Sequence, residues 1–384
     1  MAVSRRAFVR TIGVNGALAA WVAGCGSEAQ TGRAPGASQA PPQVPARSSA
    51  GPPQIFLDSN ENPYGPCAAS LDAIRATFGD ACRYPHNFAD LIEALAKLHG
   101  VKPENIALGS GSGEILRMAV LAFTTAGRPL VQGFPTFESP ARDAELTGAP
   151  VVNVPVDAAL KLDLAGMAEK AAGAGLVFLC NPNNPTGTVH GADAVSGFVR
   201  RVLKSSPTTV ILVDEAYHHY VEDPAYRTAL PLALENPQVV VARTFSKVYG
   251  LAGIRVGYAV GHADTLKAMS RFRIPNNVNV LAAAAAIAAL PQDAHVARQV
   301  ALNREAREFT VRAFESAGFR VTPPCANFLM VDIRRDAKAF QEACKEKGVL
   351  VGRPFPPLAT DSRISIGTLD EMRRAMDIIR RVLG

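Results

Sequence analysis

The sequence is poor in cysteine, and its cysteines do not stand in the closely spaced pairs that bind zinc. Zinc sites in proteins use such pairs, so we expect no zinc centre and no other metal site. The five cysteines that follow Cys25 are scattered and odd in number, which favours free thiols over a disulfide framework. The six are Cys25, Cys67, Cys82, Cys180, Cys325 and Cys344.

Charge is also sparse, at 19% of the residues. The formal net charge is +6, but the first 50 residues carry five Arg and one Glu and therefore supply most of it. The rest of the chain has no basic patch interleaved with aromatic residues, so binding to nucleic acid is not expected. The hydrophobic fraction of 48% is ordinary for a globular protein, and a length of 384 residues suggests two domains.

The first 25 residues resemble a bacterial export signal. Arg5, Arg6 and Phe8 match the start of a twin-arginine signal. The apolar stretch at 12–24 is too short and too polar to span a membrane stably. It ends in Val-Ala-Gly before Cys25, as a bacterial lipobox does, so Cys25 would be acylated. The alternative is a basic tail with a chance cysteine.

Residues 26–54 are rich in Gly, Ala, Pro, Ser and Gln and show no apolar periodicity. This composition predicts a flexible linker. A lipidated Cys25 would then attach the folded body to a membrane surface. The sequence therefore predicts an exported protein, either periplasmic or anchored to a membrane as a lipoprotein, with a cytoplasmic location as the alternative.

From residue 55 onward, short apolar runs alternate with amphipathic stretches. The runs are β-branched, continuous and bounded by turn residues, as expected of buried parallel strands. The alternation predicts an α/β fold. We predict strands at Ile106–Leu108, Pro129–Gln132, Val151–Val154, Leu176–Cys180, Val210–Val213 and Val239–Ala242, a returning strand at Val256–Val260, and helices that include Asp90–His99, Glu114–Phe123 and Asp193–Leu203.

The chain changes character after an alanine-rich helix near Leu281–Leu290. We divide the body into an N-terminal arm at 55–85, a large domain at 86–290 and a smaller α+β domain at 291–384. The elements predicted for the smaller domain are helix Ala294–Ala317, strand Phe328–Asp332, and helices Ala337–Lys347 and Leu369–Leu383.

Four of the predicted strands run directly into unusual polar sequences. Ligands of open α/β sheets gather at the carboxyl ends of the strands, because those ends meet at one edge of the sheet. One such ending would be weak evidence, whereas four in order predict a ligand site. The four polar segments are Gly109–Glu114, Asn181–Gly187, Asp214–Tyr217 and Arg243–Lys247.

The pattern resembles fold-type I aminotransferases of class I/II, which depend on pyridoxal 5'-phosphate (PLP), and especially their histidinol-phosphate branch. The resemblance covers residues 55–384 and implies a mostly parallel seven-stranded sheet domain with a smaller α+β C-terminal domain. The motifs that carry it are Asn60–Gly65, Arg83–Pro85, Asn181–Gly187, Asp214–Tyr217, Ser246-Lys247 with Arg255, and Arg363–Gly367.

This resemblance implies PLP as the cofactor and a role for individual residues. Lys247 would carry the cofactor covalently on its amine and later move a proton. Asp214 would pair with the nitrogen of the cofactor ring and keep it protonated. Asn184 and Tyr217 would hydrogen-bond the phenolate oxygen of the cofactor, and Phe137 would stack on the ring.

The resemblance also implies a site for the cofactor's phosphate. Ser112, Gly113 and Glu114 lie where a glycine-rich loop enters a helix, so backbone N–H groups and the helix dipole would face the anion. Ser246 and Arg255 would complete the site, Arg255 through a bidentate contact.

Further residues are implied at the subunit boundary and at the substrate. Tyr84 resembles a tyrosine that reaches the cofactor phosphate of the neighbouring subunit, which implies a homodimer. Arg363 resembles the family's clamp for the α-carboxylate, a planar fork that matches a carboxylate, and Asn327 would assist it. Tyr64 would close over the substrate, and Arg353 is a further candidate to bind an anionic group of the substrate.

The predicted reaction is transamination between an amino donor and a 2-oxo acid such as 2-oxoglutarate. The donor would be histidinol phosphate or an aromatic or other amino acid. The sequence departs from the histidinol-phosphate branch at Asn276, since a Tyr or Phe commonly follows the proline there. The alternatives are a PLP-dependent decarboxylase of the threonine-phosphate type and a non-catalytic lipoprotein that binds PLP or an amine.

Overall fold

The computed structural model describes residues 54–85 and 88–384. The predicted signal at 1–25 and nearly all of the predicted linker lie outside the described residues. In the described part, the strands are β1 (Ile55–Leu57), β2 (Ile106–Gly109), β3 (Leu130–Phe134), β4 (Val151–Pro155), β5 (Leu176–Cys180), β6 (Val210–Asp214), β7 (Val239–Thr244), β8 (Gly257–Gly261), β9 (Arg320–Thr322), β10 (Phe328–Asp332), β11 (Val349–Val351) and β12 (Asp361–Ser365).

The helices of the described part lie between these strands and at their ends. They are α1 (Ala68–Thr77), α2 (Ala89–His99), α3 (Ser112–Phe123), α4 (Ser139–Leu146), α5 (Leu164–Lys170), α6 (Ala192–Ser205), α7 (Leu230–Glu235), α8 (Ala263–Ser270), α9 (Val280–Ala289), α10 (Asp293–Ser316), α11 (Ala337–Glu346) and α12 (Leu369–Leu383).

A seven-stranded sheet in the order β2-β8-β7-β6-β5-β3-β4 forms the centre of the larger lobe. Strand β8 runs antiparallel to both of its neighbours, β2 and β7, and the remaining pairs are parallel. The carboxyl ends of β2, β3, β5, β6 and β7 therefore meet at one edge. The predicted α/β class is confirmed, and the returning strand predicted near residue 256 is β8.

Both faces of this sheet are covered, which explains why its strands read as continuous apolar runs. In β5, Leu176 and Phe178 face a core that contains residues of α3, α4 and α8. The alternate residues of β5, Val177 and Leu179, face a second core with residues of α5, α6 and α7. The sheet thus forms a rigid middle layer that positions the loops at its carboxyl edge.

The smaller lobe combines the antiparallel sheet β12-β10-β9 with the parallel pair β1-β11. Helices α10, α11 and α12 pack against these strands in one core. Strand β1 belongs to the segment that we predicted as an N-terminal arm, and Ile55 and Leu57 lie buried in the core of the smaller lobe. The predicted arm is therefore divided, because α1 packs instead on α9 of the larger lobe.

Among the described residues, no single helix is both long and apolar enough to cross a membrane. The consecutive helices α9 and α10 reach the required length and composition only together, and they are bent by 86° where they join. Four alanines of α9 are buried in the core.

Leu57 provides a test of the small-lobe core. Its side chain is fully buried, so Leu57→Ala should lower the free energy of unfolding by about 2–5 kcal/mol through lost burial and a residual cavity. Leu146→Ala is the matched control, since Leu146 is 78% exposed and its loss should change stability by about 0.5 kcal/mol or less. Urea unfolding of both variants measures the difference. Equal losses would mean that β1 contributes nothing to this core.

Candidate active site

A cavity of about 550 Å³ opens at the carboxyl edge of the large sheet, and residues of the smaller lobe complete its wall. Its volume is that of a small-molecule or cofactor site. Eleven residues predicted from the sequence line it: Ser112, Gly113, Phe137, Asn184, Asp214, Tyr217, Ser246, Lys247, Arg255, Arg353 and Arg363. The structure thus brings together side chains that are up to 251 positions apart in the sequence.

Lys247 lines this cavity from the turn that follows β7. Its amine donates a hydrogen bond of 3.0 Å to the backbone carbonyl of Asn60 and lies 5.4 Å from the centre of the Tyr217 ring. Burial, reinforced by the positive charge of Arg363, lowers the pKa of Lys247 to about 8. A neutral amine, which is the nucleophilic form, is therefore readily available near neutral pH.

Asp214 lies on the floor of the cavity at the end of β6. The side chain is buried, and its Oδ1 accepts a hydrogen bond of 3.1 Å from the amide of Ala216. Burial raises the pKa of Asp214 to about 7, although that hydrogen bond and Lys247 act in the opposite direction. A protonated ring nitrogen paired with this carboxylate would compensate for the burial of its charge.

Tyr217 and Asn184 form a polar wall beside Lys247. The Tyr217 hydroxyl accepts hydrogen bonds from the side-chain amides of Asn60, at 3.1 Å, and Asn184, at 3.4 Å. Burial raises the pKa of Tyr217, so its hydroxyl keeps its proton and can donate it to a ligand oxygen. Asn184 in turn accepts a hydrogen bond of 2.7 Å from Arg363. This bond connects the polar wall to the part of the cavity around Arg363, where a substrate would bind.

An anion site is formed at the N-terminus of α3. Ser112 and Gly113 are the first residues of that helix, whose unpaired N–H groups and dipole favour an anion. The Arg255 guanidinium lies next to Gly111, whose φ of 74° is a conformation that favours glycine. Arg255 also donates to the Ser246 hydroxyl at 3.4 Å. These groups fit a phosphate.

The side chain of Glu114, the third residue of the predicted anion site, does not line the cavity. Its carboxylate accepts hydrogen bonds from the amide of Ser110 at 2.6 Å, the side chain of Asn277 at 2.8 Å and the amide of Ile274 at 3.0 Å. It is the third residue of α3, and its side chain turns back onto the preceding loop. Glu114 therefore holds the glycine-rich loop against the segment around residue 275 instead of facing a ligand.

Three other predicted residues also lie outside the cavity of this chain. The Tyr64 side chain lies near the backbone of Leu369 and does not line the cavity, and burial raises its pKa. Asn327 donates hydrogen bonds to the backbone carbonyls of Asn60 at 3.0 Å and Glu61 at 3.2 Å, so it positions the arm. Tyr84 is 79% exposed and contributes nothing to its own chain's cavity.

Arg363, on strand β12, lines the part of the cavity where a substrate would bind. Its guanidinium donates to Asn184 and, at 2.5 Å, to the backbone carbonyl of Asp58, and its buried Nε has no hydrogen-bond partner. Burial lowers the pKa of Arg363 to about 10, so the group remains charged at neutral pH. A buried guanidinium that has only neutral oxygens as partners and one free N–H fits a ligand carboxylate.

Asn60 and Glu138 are among the cavity residues to which sequence reasoning gave no role, although Asn60 stands in one of the recognised motifs. Asn60 is buried in a left-handed conformation, with φ of 53°, and bonds Tyr217, Lys247 and Ser365. An asparagine tolerates this conformation better than most residues, but nothing in the local sequence indicates it. Glu138 follows Phe137 and forms an ion pair with Arg353 at the cavity mouth.

The fold and the cavity together define a PLP-dependent transferase with a lysine at its centre. The aminotransferase class I and II family matches residues 52–379, and the chain belongs to this family. The predicted family, fold class and cofactor are thereby confirmed.

Individual relatives agree with this assignment. A histidinol-phosphate aminotransferase of Symbiobacterium thermophilum is 40% identical over 86% of this chain and 91% of that protein. An aromatic amino acid aminotransferase of Thermobifida fusca is 35% identical over 88% of this chain and 94% of its own. The crystal structure of a histidinol-phosphate aminotransferase from Sinorhizobium meliloti with pyridoxal-5'-phosphate has a TM-score of 0.80 and 30% identity, over 86% of this chain and 90% of that one.

The chain is accordingly an aminotransferase, and its cavity residues suit that chemistry. When bound, PLP supplies an electron-accepting ring that stabilises negative charge on the carbon bearing the amino group. Lys247 would be the base that takes and returns a proton at that carbon. Asp214 would hold the ring nitrogen in its protonated form, and Arg363 would orient the carboxylate. The Ser112, Ser246 and Arg255 groups would hold the phosphate.

The electrostatics of the cavity predict how Lys247 titrates in the cofactor-free protein. Competitive acetylation followed by mass spectrometry should give a pKa of about 8 for Lys247. Arg363→Met should raise that pKa, because it removes a cation that disfavours the ammonium, and Asp214→Asn should lower it. Exposed Lys97 is the internal control, and its labelling should not differ between variants. A Lys247 that titrates at 10.5 in all three proteins would refute the argument.

Proposed function

We propose that this enzyme transfers the amino group of histidinol phosphate to a 2-oxo acid such as 2-oxoglutarate. The observation that carries the proposal is the pair of cations at different depths of one cavity, Arg363 buried and Arg353 half-exposed. Histidinol phosphate has a phosphate but no α-carboxylate, whereas glutamate has two carboxylates. Arg363 would bind the phosphate of the first and the α-carboxylate of the second.

An aromatic amino acid is the second candidate donor. It is supported by the Thermobifida fusca relative and by the two phenylalanines in the cavity wall, Phe137 and Phe355. A decarboxylase or a non-catalytic binding protein is not favoured, because the relatives named above are aminotransferases.

Arg363→Ala tests the proposal. Losing a buried, bidentate charge contact costs about 2–5 kcal/mol, or about 30-fold to several thousand-fold in specificity constant. The variant should lose comparable factors with histidinol phosphate and with glutamate in separate single turnovers, while the absorbance of the bound cofactor remains.

The outcomes of this experiment are distinct. If Arg363→Ala impairs only the reaction with glutamate, the phosphate of histidinol phosphate is bound by Arg353 and not by Arg363. A wild type that reacts with phenylalanine but ignores histidinol phosphate would exclude histidinol phosphate as the donor and leave the aminotransferase activity standing.

We also infer that the enzyme acts as a homodimer in which Tyr84 reaches the cofactor phosphate of the neighbouring site. Exposed apolar side chains support this inference, since Tyr84 is 79%, Ile274 61% and Phe272 43% exposed. Apolar side chains of this size are a feature of subunit interfaces.

We further propose that the enzyme leaves the cytoplasm as a lipoprotein, on the strength of Arg5, Arg6 and Cys25. Twin-arginine export carries folded proteins, which suits an enzyme that loads its cofactor before export. Replacing both arginines with lysine should retain the enzyme in the cytoplasm, and Cys25→Ala should release it from membranes. Fractionation with immunodetection measures both. Wild-type enzyme that stays in the soluble cytoplasm and keeps Met1 would contradict the proposal.

A further inference from the structure

An ion pair between Glu138 and Arg353 crosses the mouth of the cavity. Glu138 belongs to the larger lobe and directly precedes α4, whereas Arg353 follows β11 in the smaller lobe. Their side chains are 38% and 47% exposed, so water reaches the pair. Both residues line the same cavity as Arg363, so a substrate bound at Arg363 would be within the same enclosure.

The two cavity arginines differ in the charge of their partners. Arg363 bonds only neutral oxygens and keeps its Nε free, so a ligand carboxylate displaces no anion from it. Arg353 already has a carboxylate on its guanidinium. The Phe355 ring lies 4.1 Å from the Arg353 guanidinium carbon and 4.9 Å from that of Arg363, which keeps both cations beside one apolar surface.

Glu138 has a second cation within reach. Its Oε2 lies 4.0 Å from the guanidinium of Arg142, one turn further along α4. A ligand anion that displaces Glu138 from Arg353 therefore leaves the carboxylate beside another positive charge. This arrangement lowers the cost of opening the pair, because the displaced carboxylate is neither buried nor left without a counter-ion.

We propose that Glu138 is the specificity-determining residue of this cavity, a built-in anion that neutralises Arg353 until a second anionic group of the substrate displaces it. The α-carboxylate of a dicarboxylic substrate binds Arg363, and its distal carboxylate exchanges with Glu138 at Arg353. A phosphate monoester is doubly charged and reaches both arginines. A substrate with a neutral distal group leaves the ion pair closed. The inference deepens the proposed function and rests on it for the phosphorylated donor.

Three variants of the holoenzyme test this role. Glu138→Gln removes the competing anion, Arg142→Met removes the alternative partner, and Glu145→Gln is the control, since Glu145 is exposed on the same helix and does not line the cavity. The substrates are paired by the anionic group that one member lacks: glutamine lacks the distal charge of glutamate, and histidinol lacks the phosphate of histidinol phosphate. Single-turnover kinetics give the ratio of specificity constants within each pair. Titrations followed by the absorbance of the bound cofactor give the Kd values of two unreactive acids, glutarate and butyrate, and hence their ratio.

Because the ion pair is half-exposed, its effect is modest. Glu138→Gln should raise the preference for the charged member of each pair about two- to five-fold, and Arg142→Met should lower it, while Glu145→Gln keeps the wild-type ratio.

Equal changes for charged and neutral members would mean that Glu138 only holds the lobes together, and this would overturn the proposal. Unchanged ratios in Glu138→Gln would overturn it as well. If histidinol phosphate does not react but the ratios for glutamate and glutarate shift as expected, the proposed donor fails and the role of Glu138 stands.

Discussion

The backbone carbonyls of a short N-terminal segment hold the buried cations of the active site. The carbonyl of Asp58 accepts from Arg363, and that of Asn60 accepts from both Lys247 and Asn327. These carbonyls carry no net charge, so they orient the cations without neutralising them. A carboxylate in the same place would form a strong ion pair, and a substrate would then have to break it before binding.

This arrangement is unfavourable for the charged forms of the buried groups, because no nearby opposite charge fully offsets their loss of hydration. Burial moves the pKa of Lys247 down to about 8 and that of Asp214 up to about 7. Both shifts are toward the neutral form, as desolvation requires. A lysine and a carboxylate with such pKa values are typical of a catalytic site. A bound cofactor would complete the charge balance, because Asp214 would hold its ring nitrogen and Arg255 with the N-terminus of α3 would hold its phosphate.

The strands of the large sheet could be predicted well from the sequence. Because both faces of the sheet are buried, strands such as β5 and β7 consist of nearly uninterrupted apolar residues. The sequence did not predict β12, which reads Asp-Ser-Arg-Ile-Ser and is nevertheless fully buried. Two of its polar residues belong to the site: Arg363 lines the cavity, and Ser365 donates a hydrogen bond to Asn60. A local pattern cannot show this, because the partners lie about 300 residues away.

The same limit applies to the direction of side chains at the site. Glu114 stands in a loop that suits a phosphate, and its real partners, Ile274 and Asn277, are distant in the sequence. Tyr64 lies in a recognised motif, but the fold of the arm places it near the backbone of Leu369. Residue types at strand ends could be predicted from the sequence. The direction of each side chain depends on contacts that only the folded chain defines.

An aminotransferase must accept two different substrates in one cavity, and the two arginines suit that requirement in different ways. Arg363 is buried, fixed by neutral partners and free at Nε, so it can bind whichever anionic group lies nearest to the reacting carbon. Arg353 is half-exposed and exchanges partners with little desolvation, so it can respond to the distal end, where the substrates differ. Arg363 provides a fixed binding group deep in the cavity, and Arg353 provides one at the mouth that can exchange its partner. Together they allow one site to serve both half-reactions.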